Sequence, residues 1–216
     1  MAIIRKGPNG DVSGRIGDKI YRVRNKKNFV CKRPASQKIS QTTNSVKNRS
    51  RFANTIHLAK LIKSIPELYL CWKSAKIPGS NGYQRIIKHN SKNISESGLT
   101  LKNIITPPGF EITQDFITIE KSKLIISVLL DKPLPDLQFS LIALLCVKKE
   151  KESEHFILKT DNVSLQEGSA LKGIISLTPD EMKKINLCNK ALLLSSFLTF
   201  SPELLWSSTI PVEFRC

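Results

Sequence analysis

The sequence predicts an α+β protein in which an N-terminal basic β-hairpin and a small helical cluster precede an antiparallel β-sandwich. Three observations support this fold class. Two strand-like runs flank a short polar turn near the N terminus, and apolar residues then recur at helical spacing up to residue 90. Short β-type runs separated by turn signals fill the remainder. A chain of 216 residues can form one ordinary domain or two small ones.

The hairpin is predicted from the runs Lys19–Arg24 and Asn28–Arg33, which Asn25, Lys26 and Lys27 connect. If Arg24 pairs with Phe29, alternation places the Phe29 ring on one face with Arg22, Arg24, Cys31 and Arg33. Guanidinium groups suit phosphate oxygens and a ring can stack on an unpaired base, so this face suits nucleic acid. The alternative is an edge hairpin that its charges keep soluble. The glycines of the preceding segment, residues 7–18, are predicted to form tight turns without a ligand.

Three helices are predicted next. The first begins near residues 42–45 and runs to about Ile65, with Leu58, Leu61, Ile62 and Ile65 on one apolar stripe. The second covers residues 67–75 after Pro66, and the third covers about residues 81–90. Trp72 and Tyr83 are expected in the core of this cluster. On the first helix, Arg49, Lys60 and Lys63 are expected on the side opposite the apolar stripe, and Lys47 and Arg51 lie in its first turns.

Beyond Gly98 the pattern changes to short strands. They are predicted near residues 99–105, 116–119, 124–130, 137–148, 155–160, 170–176, 191–200 and 207–213, and a helical turn follows Thr178. Seven or eight strands at this spacing are typical of an immunoglobulin-like sandwich of about 120 residues. The predicted division is therefore a basic arm, hairpin and helical region at residues 1–97 and a sandwich domain at residues 98–216.

The charge distribution supports the same boundary. The chain holds 34 Lys and Arg against 18 Asp and Glu, a net charge of +16. Residues 1–95 contain 21 of the basic residues and three acids, so all of the excess lies there. No carboxylate occurs between Asp18 and Glu67. Such polarity indicates an anionic partner rather than a particular fold.

No motif predicts catalysis, a cofactor or a metal. His57, His89 and His155 stand more than 30 residues apart, and the five cysteines have no metal-ligand spacing. Cys71, Cys146 and Cys188 have apolar neighbours and are expected in the core. A hydrolase whose residues meet only in the fold is a third, weaker hypothesis, which a cleft joining a histidine, a carboxylate and a Ser or Cys would favour.

Several short segments resemble a group of uncharacterised bacterial proteins that have a Gly-rich start, a basic hairpin, a helical segment and a β-sandwich-like end. They are Ser13-Gly14-Arg15-Ile16-Gly17, the strand at Tyr21, Arg33-Pro34, the helix start at Arg49 and Phe52, Tyr83-x-x-Ile86-Ile87-x-x-Asn90, and Trp206-Ser207-Ser208. The resemblance covers most of the chain as an order of elements. It implies the architecture but no activity and no site.

We therefore predict a non-enzymatic binding or structural protein whose basic N-terminal half engages a polyanion, most simply RNA or DNA within a larger assembly. The predicted contact residues are Arg15, Arg22, Arg24, Lys26, Lys27, Phe29, Lys32, Arg33, Lys47, Arg49 and Arg51. The alternative is a subunit of a protein-only assembly, such as a filament, shell or phage-like particle, in which the arm meets an acidic protein surface. The C-terminal domain is expected to bind protein partners. The longest nearly apolar run spans about half of a membrane helix, so a soluble cytoplasmic protein is expected.

Overall fold

The structure is a computed structural model that describes residues 5–6, 12–24, 27–33, 39–134, 137–149, 152–166, 169–188, 190–200 and 203–214. The protein is α+β, with helices and antiparallel sheets, as predicted. Its contacts divide the chain into two compact units, Met1–Thr42 and Thr43–Cys216. The predicted charge boundary at residue 97 lies inside the second unit and remains a prediction about function. None of the helices in the described part of the chain is both long and apolar enough to span a bilayer.

The first unit contains an antiparallel sheet of four strands in sequential order. The strands are β1 (Arg5–Lys6), β2 (Val12–Ile16), β3 (Lys19–Arg24) and β4 (Lys27–Lys32). Ile16 pairs with Lys19, so a two-residue turn joins β2 to β3. Gly17 adopts a φ of +58° in that turn, a conformation that tight hairpins require and that glycine adopts without steric cost.

The register between β3 and β4 differs from the predicted one by two residues. Arg22, rather than Arg24, lies opposite Phe29, and Arg24 lies opposite Lys27. The strands are therefore separated by two residues instead of three, the commonest hairpin length because its turns match the strand twist. A shift by an even number leaves each residue on its predicted face, since side chains alternate with a period of two. Residues 25–26, including the predicted contact Lys26, and the predicted turn at residues 7–10 lie outside the described residues.

The second unit begins with three helices close to their predicted bounds: α1 (Thr43–Ser64), α2 (Pro66–Ser74) and α3 (Gly82–Asn90). Ile65 separates α1 from α2 because the residue before a proline is disfavoured in the helical region, and it is extended here (φ −101°, ψ 104°). Asn81 is the N-cap residue of α3, and its side chain accepts a hydrogen bond from the Gln84 N–H at 2.9 Å. Trp72 is fully buried and Tyr83 is half-buried, as expected.

Two antiparallel sheets follow the helices. The elements of this region in chain order, including one further helix, are β5 (Ile112–Glu120), β6 (Lys123–Leu130), β7 (Ser140–Lys149), β8 (Glu152–Thr160), β9 (Val163–Gln166), β10 (Ala170–Ser176), α4 (Pro179–Asn186), β11 (Lys190–Thr199), β12 (Leu205–Trp206) and β13 (Ile210–Phe214). One sheet has the order β5-β6-β10-β9. The other has the order β12-β11-β7-β8, with β13 also paired to β11.

Strands β7 and β11 are buried on both faces. Alternate residues of each strand contribute to two hydrophobic clusters. The first joins them to the other sheet through Leu141, Leu145, Leu193, Ile126 and Leu171. The second joins them to the helices through Ile142, Leu144, Leu194, Leu58, Trp72 and Ile86. This double burial explains why both strands are nearly continuous apolar runs in the sequence.

The predicted strand at residues 99–105 is wrong, because that segment consists of turns bound by amide side chains. Asn103 Oδ1 accepts the Thr100 N–H at 2.7 Å, and Asn90 Oδ1 accepts the Ile104 N–H at 2.8 Å. Such bonds from side chains to the backbone replace the partner strand that the backbone otherwise needs. Strands β1, β2 and β9 were not predicted. Residues 12–16, which were expected to form glycine turns, are strand β2 because they pair with β3. In β9, Val163 and Leu165 alternate with polar residues as a short strand requires.

The prediction of buried cysteines is confirmed for Cys71, Cys146 and Cys188, while Cys31 is exposed. Burial raises the pKa of the Cys71 thiol to about 12 and that of the Cys146 thiol to about 11. These two thiols are therefore protonated at neutral pH and serve as small apolar core residues.

We expect Asn90→Ala to lower the free energy of unfolding by about 2–3 kcal/mol, because it leaves the Ile104 N–H without its acceptor and the Ile104 carbonyl without its donor. Urea unfolding measures the change. The exposed Asn186→Ala is the control and should change stability by less than about 0.5 kcal/mol. Equal effects of the two substitutions would contradict the role given to Asn90.

Candidate functional site

Seven predicted contact residues belong to the N-terminal sheet or follow it directly. They are Arg15 on β2, Arg22 and Arg24 on β3, Lys27, Phe29 and Lys32 on β4, and Arg33. Apart from Arg24, which is described only by its strand position, each of these side chains is exposed. The Arg33 N–H donates to the Asp18 carbonyl at 2.6 Å and extends the strand pairing by one residue.

The register places five of these residues on one face, Arg24 among them, and the side chains of the other four are described. Arg15 pairs with Ile20, which pairs with Cys31, and Arg22 pairs with Phe29. Directly paired residues share a face, and so do residues two apart on one strand. We call Arg15, Arg22, Lys27 and Phe29 the basic face. Lys32 lies on the opposite face, as the sequence predicted.

Among the described residues, no ion pair neutralises a cation of this sheet. Asp18 is the single carboxylate among the described residues from 12 to 42. The ion pairs found within the described residues all lie in the second unit. The Phe29 side chain is 50% exposed, and the Val30 side chain on the opposite face is 55% exposed. Every described side chain between residues 13 and 42 is at least partly exposed.

The predicted contacts on α1 are in a different electrostatic environment. Glu96 Oε1 lies 3.3 Å from Lys47 Nζ and 3.8 Å from Arg51 Nη2, so a carboxylate of the later half partly neutralises both cations. Arg49 is exposed on the same helix. Ser50 and Asn54 also donate to the Glu96 carbonyl, each at 3.2 Å. Residues 47, 50, 51 and 54 of α1 lie three or four positions apart and therefore share one face of the helix. Through this face α1 binds the loop that contains Glu96.

A cavity of about 460 Å³ opens beside this loop. Its polar lining comes from α1, the loop and the edge of the second sheet: Asn54, His57, Glu96, Ser97, Lys148, Ser153 and His155. Strand pairing explains why His155 of β8 lines the cavity. It lies opposite Cys146, whose side chain faces the helices, and directly paired residues share a face. His57 reaches the cavity from α1.

The two histidines are in direct contact. His57 Nε2 lies 3.3 Å from His155 Nδ1, and the ring centroids are 4.8 Å apart with the planes tilted by 57°. Burial lowers the pKa of His155 to about 4, and the neighbouring His57 acts in the same direction. His155 is therefore neutral at physiological pH and can accept or donate one hydrogen bond from each ring nitrogen according to its tautomer.

The cavity contains the residue types that would favour a hydrolase, but their geometry differs from that of a nucleophile and base. The Glu96 carboxylate contacts Lys47 and Arg51, and Ser97 Oγ contacts Ser95 Oγ at 3.0 Å. Among the hydrogen bonds of the described residues, none joins Ser97 or Ser153 to either histidine. Nucleophilic catalysis needs a base within hydrogen-bond reach of the nucleophile. The described side chains also include no group of three or more His, Cys, Asp and Glu arranged to hold a metal ion.

No protein-family model matches the chain, and a comparison with curated proteins finds no matching sequence. The resemblance to bacterial proteins of similar layout therefore remains a prediction. The sequence contained no local signal for the histidine pair, since 98 positions separate the two residues. Only the docking of α1 against the β8 edge brings them together.

We expect stability to fall between about pH 6.5 and pH 4 because of His155. The unfolded imidazole binds a proton near pH 6.5, whereas the folded one resists protonation down to about pH 4, so the stabilisation present above pH 6.5 is lost as pH falls. Urea unfolding at about pH 7 and pH 5 should show a loss of roughly 1–2 kcal/mol, reduced by partial solvent exposure of the ring. His155→Gln should remove this part of the pH dependence, and His89→Gln should retain it. An unchanged pH dependence in His155→Gln would refute the assignment.

Proposed function

We propose that this protein is a non-enzymatic binding or structural protein whose N-terminal sheet engages nucleic acid within a larger assembly. The observation that carries the proposal is the basic face, where Arg15, Arg22 and Lys27 surround an exposed Phe29 and no carboxylate pairs with them in the described residues. Cations left exposed on one face attract a polyanion, while paired cations such as Lys47 and Arg51 contribute less.

The proposed interaction has two parts. Guanidinium and ammonium groups neutralise phosphates and release condensed counterions, which makes the affinity dependent on salt. Phe29, directly opposite Arg22, supplies a ring on which an unpaired base can stack. Both parts are independent of base sequence and suit RNA and DNA alike, because neither uses a groove-reading element.

The exposure of the described side chains in the first unit supports a binding role. A small sheet gains stability by burying one face, and no described side chain between residues 13 and 42 is buried. A partner that covers the basic face supplies the missing contacts. Nucleic acid fits this face better than an apolar surface does, because the exposed cations Arg15, Arg22 and Lys27 lie on it together.

We further propose that the two sheets of the second unit form an immunoglobulin-like sandwich that contacts protein partners. The strand orders β5-β6-β10-β9 and β12-β11-β7-β8 support this, since they correspond to the A-B-E-D and G-F-C-C′ orders of that fold. The cluster containing Ile126 and Leu193, which draws on both sheets, supports face-to-face packing.

A protein-only assembly is the second candidate function, and one observation favours it. Strand β4 lies at the end of the N-terminal sheet order, and all its side chains are exposed. An exposed edge strand can pair with a strand from another subunit. In that case the basic face meets an acidic protein surface instead of phosphates.

The salt dependence of binding tests the nucleic-acid proposal. With about three to five phosphate contacts, from Arg15, Arg22 and Lys27 and from the neighbouring Arg24 and Arg33, log K for a duplex oligonucleotide should fall against log[salt] with a slope near −3 to −5. Replacing Arg15, Arg22 and Lys27 together by Gln should reduce the magnitude of the slope by about 2–3. Fluorescence anisotropy at several salt concentrations measures both slopes.

The matched control removes the same charge from the second unit, by replacing the exposed Lys123, Lys132 and Lys183 with Gln. This control should bind with the slope of the parent protein. Equal slopes in both triple variants would mean that net charge alone, rather than the basic face, determines binding.

The stacking role of Phe29 gives a separate prediction. Phe29→Leu should weaken binding to single-stranded oligonucleotides by about 1–2 kcal/mol while affecting duplex binding less, because only unpaired bases offer a face for stacking. Val30→Ala is the control, since Val30 has similar exposure on the opposite face. Equal losses for Phe29→Leu and Val30→Ala would contradict base stacking.

Purification separates the two candidate functions. Protein isolated without nuclease should show raised absorbance at 260 nm that high salt removes if nucleic acid is the partner. A large oligomer free of nucleic acid on size exclusion would instead support the protein-only assembly.

A further inference from the structure

We propose that His57 and His155 together bind a divalent transition-metal ion in the cavity between α1 and β8. Imidazole nitrogens bind Zn²⁺ at about 2.0–2.1 Å. Two such nitrogens on one tetrahedral ion are therefore about 3.3 Å apart. The distance between His57 Nε2 and His155 Nδ1 is 3.3 Å. The facing nitrogens thus already have the separation that a shared ion requires.

The pair also presents suitable atoms. A hydrogen bond between two ring nitrogens requires at least one of them to be an unprotonated acceptor, which is also the form that binds a metal. The ring planes are tilted by 57° rather than stacked, and the 3.3 Å separation of the two nitrogens shows that the rings meet through their nitrogen edges. On binding, the ring that donates this hydrogen bond transfers its proton through water to its other nitrogen, and a modest rotation of each ring then turns both lone pairs towards an ion between them.

Both histidines stand on regular elements with buried neighbours. His57 precedes Leu58, which is fully buried against the second sheet, and His155 lies opposite the buried Cys146. Ligands on a helix and a paired strand hold their separation better than ligands on loops do. Little reorganisation is therefore needed for binding.

The rest of the cavity determines the kind of site. Within the described residues, no third His, Cys, Asp or Glu completes a ligand set with the pair. Glu96 is engaged by Lys47 and Arg51, and the cationic Lys148 lines the same cavity. The cavity is open and large enough for waters to fill the other coordination positions. These features define a weak, reversible site for an imidazole-preferring ion such as Zn²⁺, Ni²⁺ or Cu²⁺, and exclude preference for Mg²⁺ or Ca²⁺.

Metal titration of the full chain tests the proposal. The protein carries no histidine tag, and Cys31 and Cys216 are replaced by Ser so that these thiols cannot compete for the ion. Isothermal titration with Zn²⁺ and with Ni²⁺, in high salt to keep nucleic acid away, should show one ion per chain. Mg²⁺ should give no binding signal under the same conditions.

Substitution of single histidines locates the site. His57→Gln should weaken the affinity for Ni²⁺ at least about tenfold, because loss of even an outer-shell partner of a metal ligand has effects of that size. His89→Gln is the matched control and should bind as the parent does, since His89 contacts the Trp72 ring instead. His57 is exposed, so its substitution leaves the core intact, and thermal unfolding without metal verifies this.

The same titrations define the contrary results. The proposal is overturned if the parent chain binds neither Zn²⁺ nor Ni²⁺, or if His57→Gln binds as tightly as the parent. It is also overturned if His89→Gln loses as much affinity as His57→Gln. None of these results bears on nucleic-acid binding by the basic face, so the two proposals fail or stand independently.

Discussion

The pairing of β7 with β11 is the interaction on which the rest of the second unit depends. The two strands are antiparallel from Ser140 and Leu198 to Lys148 and Lys190. Because side chains alternate, this one register directs Leu141 and Leu193 towards the other sheet and their neighbours towards the helices. A slip by one residue would exchange the two sets, so both hydrophobic clusters constrain the same register.

The cavity is a consequence of this layered packing. Strand β8 continues the second sheet beyond β7, and its helix-facing residues include Ser153 and His155. Helix α1 packs on that face through Leu58, which brings the adjacent His57 to the edge of the interface. The Glu96 loop, bound by the polar stripe of α1, forms the remaining wall. Interfaces between packed elements are common places for binding sites because such elements hold side chains rigidly.

The N-terminal sheet obeys a different constraint. Its strands form from alternation and a glycine turn, but no described side chain of residues 13–42 is buried, so hydrophobic burial contributes little to its stability. Its exposed cations contrast with Lys47 and Arg51, which share Glu96. The two groups of predicted contacts therefore differ in the free charge that they can offer, although the sequence presents them as one basic region.

The sequence by itself determined the helices, the positions of β7 and β11 and the charge asymmetry, because each follows from local periodicity or composition. The burial of both faces of these two strands came from the tertiary structure. It also assigned the residues of the β3–β4 hairpin to the correct faces, although the predicted register was wrong by two residues. A shift by two residues leaves every side chain on the same face, because side chains alternate along a strand. Only the tertiary structure decided that residues 99–105 form turns, because the amide of Asn90 lies on another element. Likewise, the ion pairs of Glu96 and the contact of His57 with His155 depend on how distant segments pack, and no spacing along the chain encodes them.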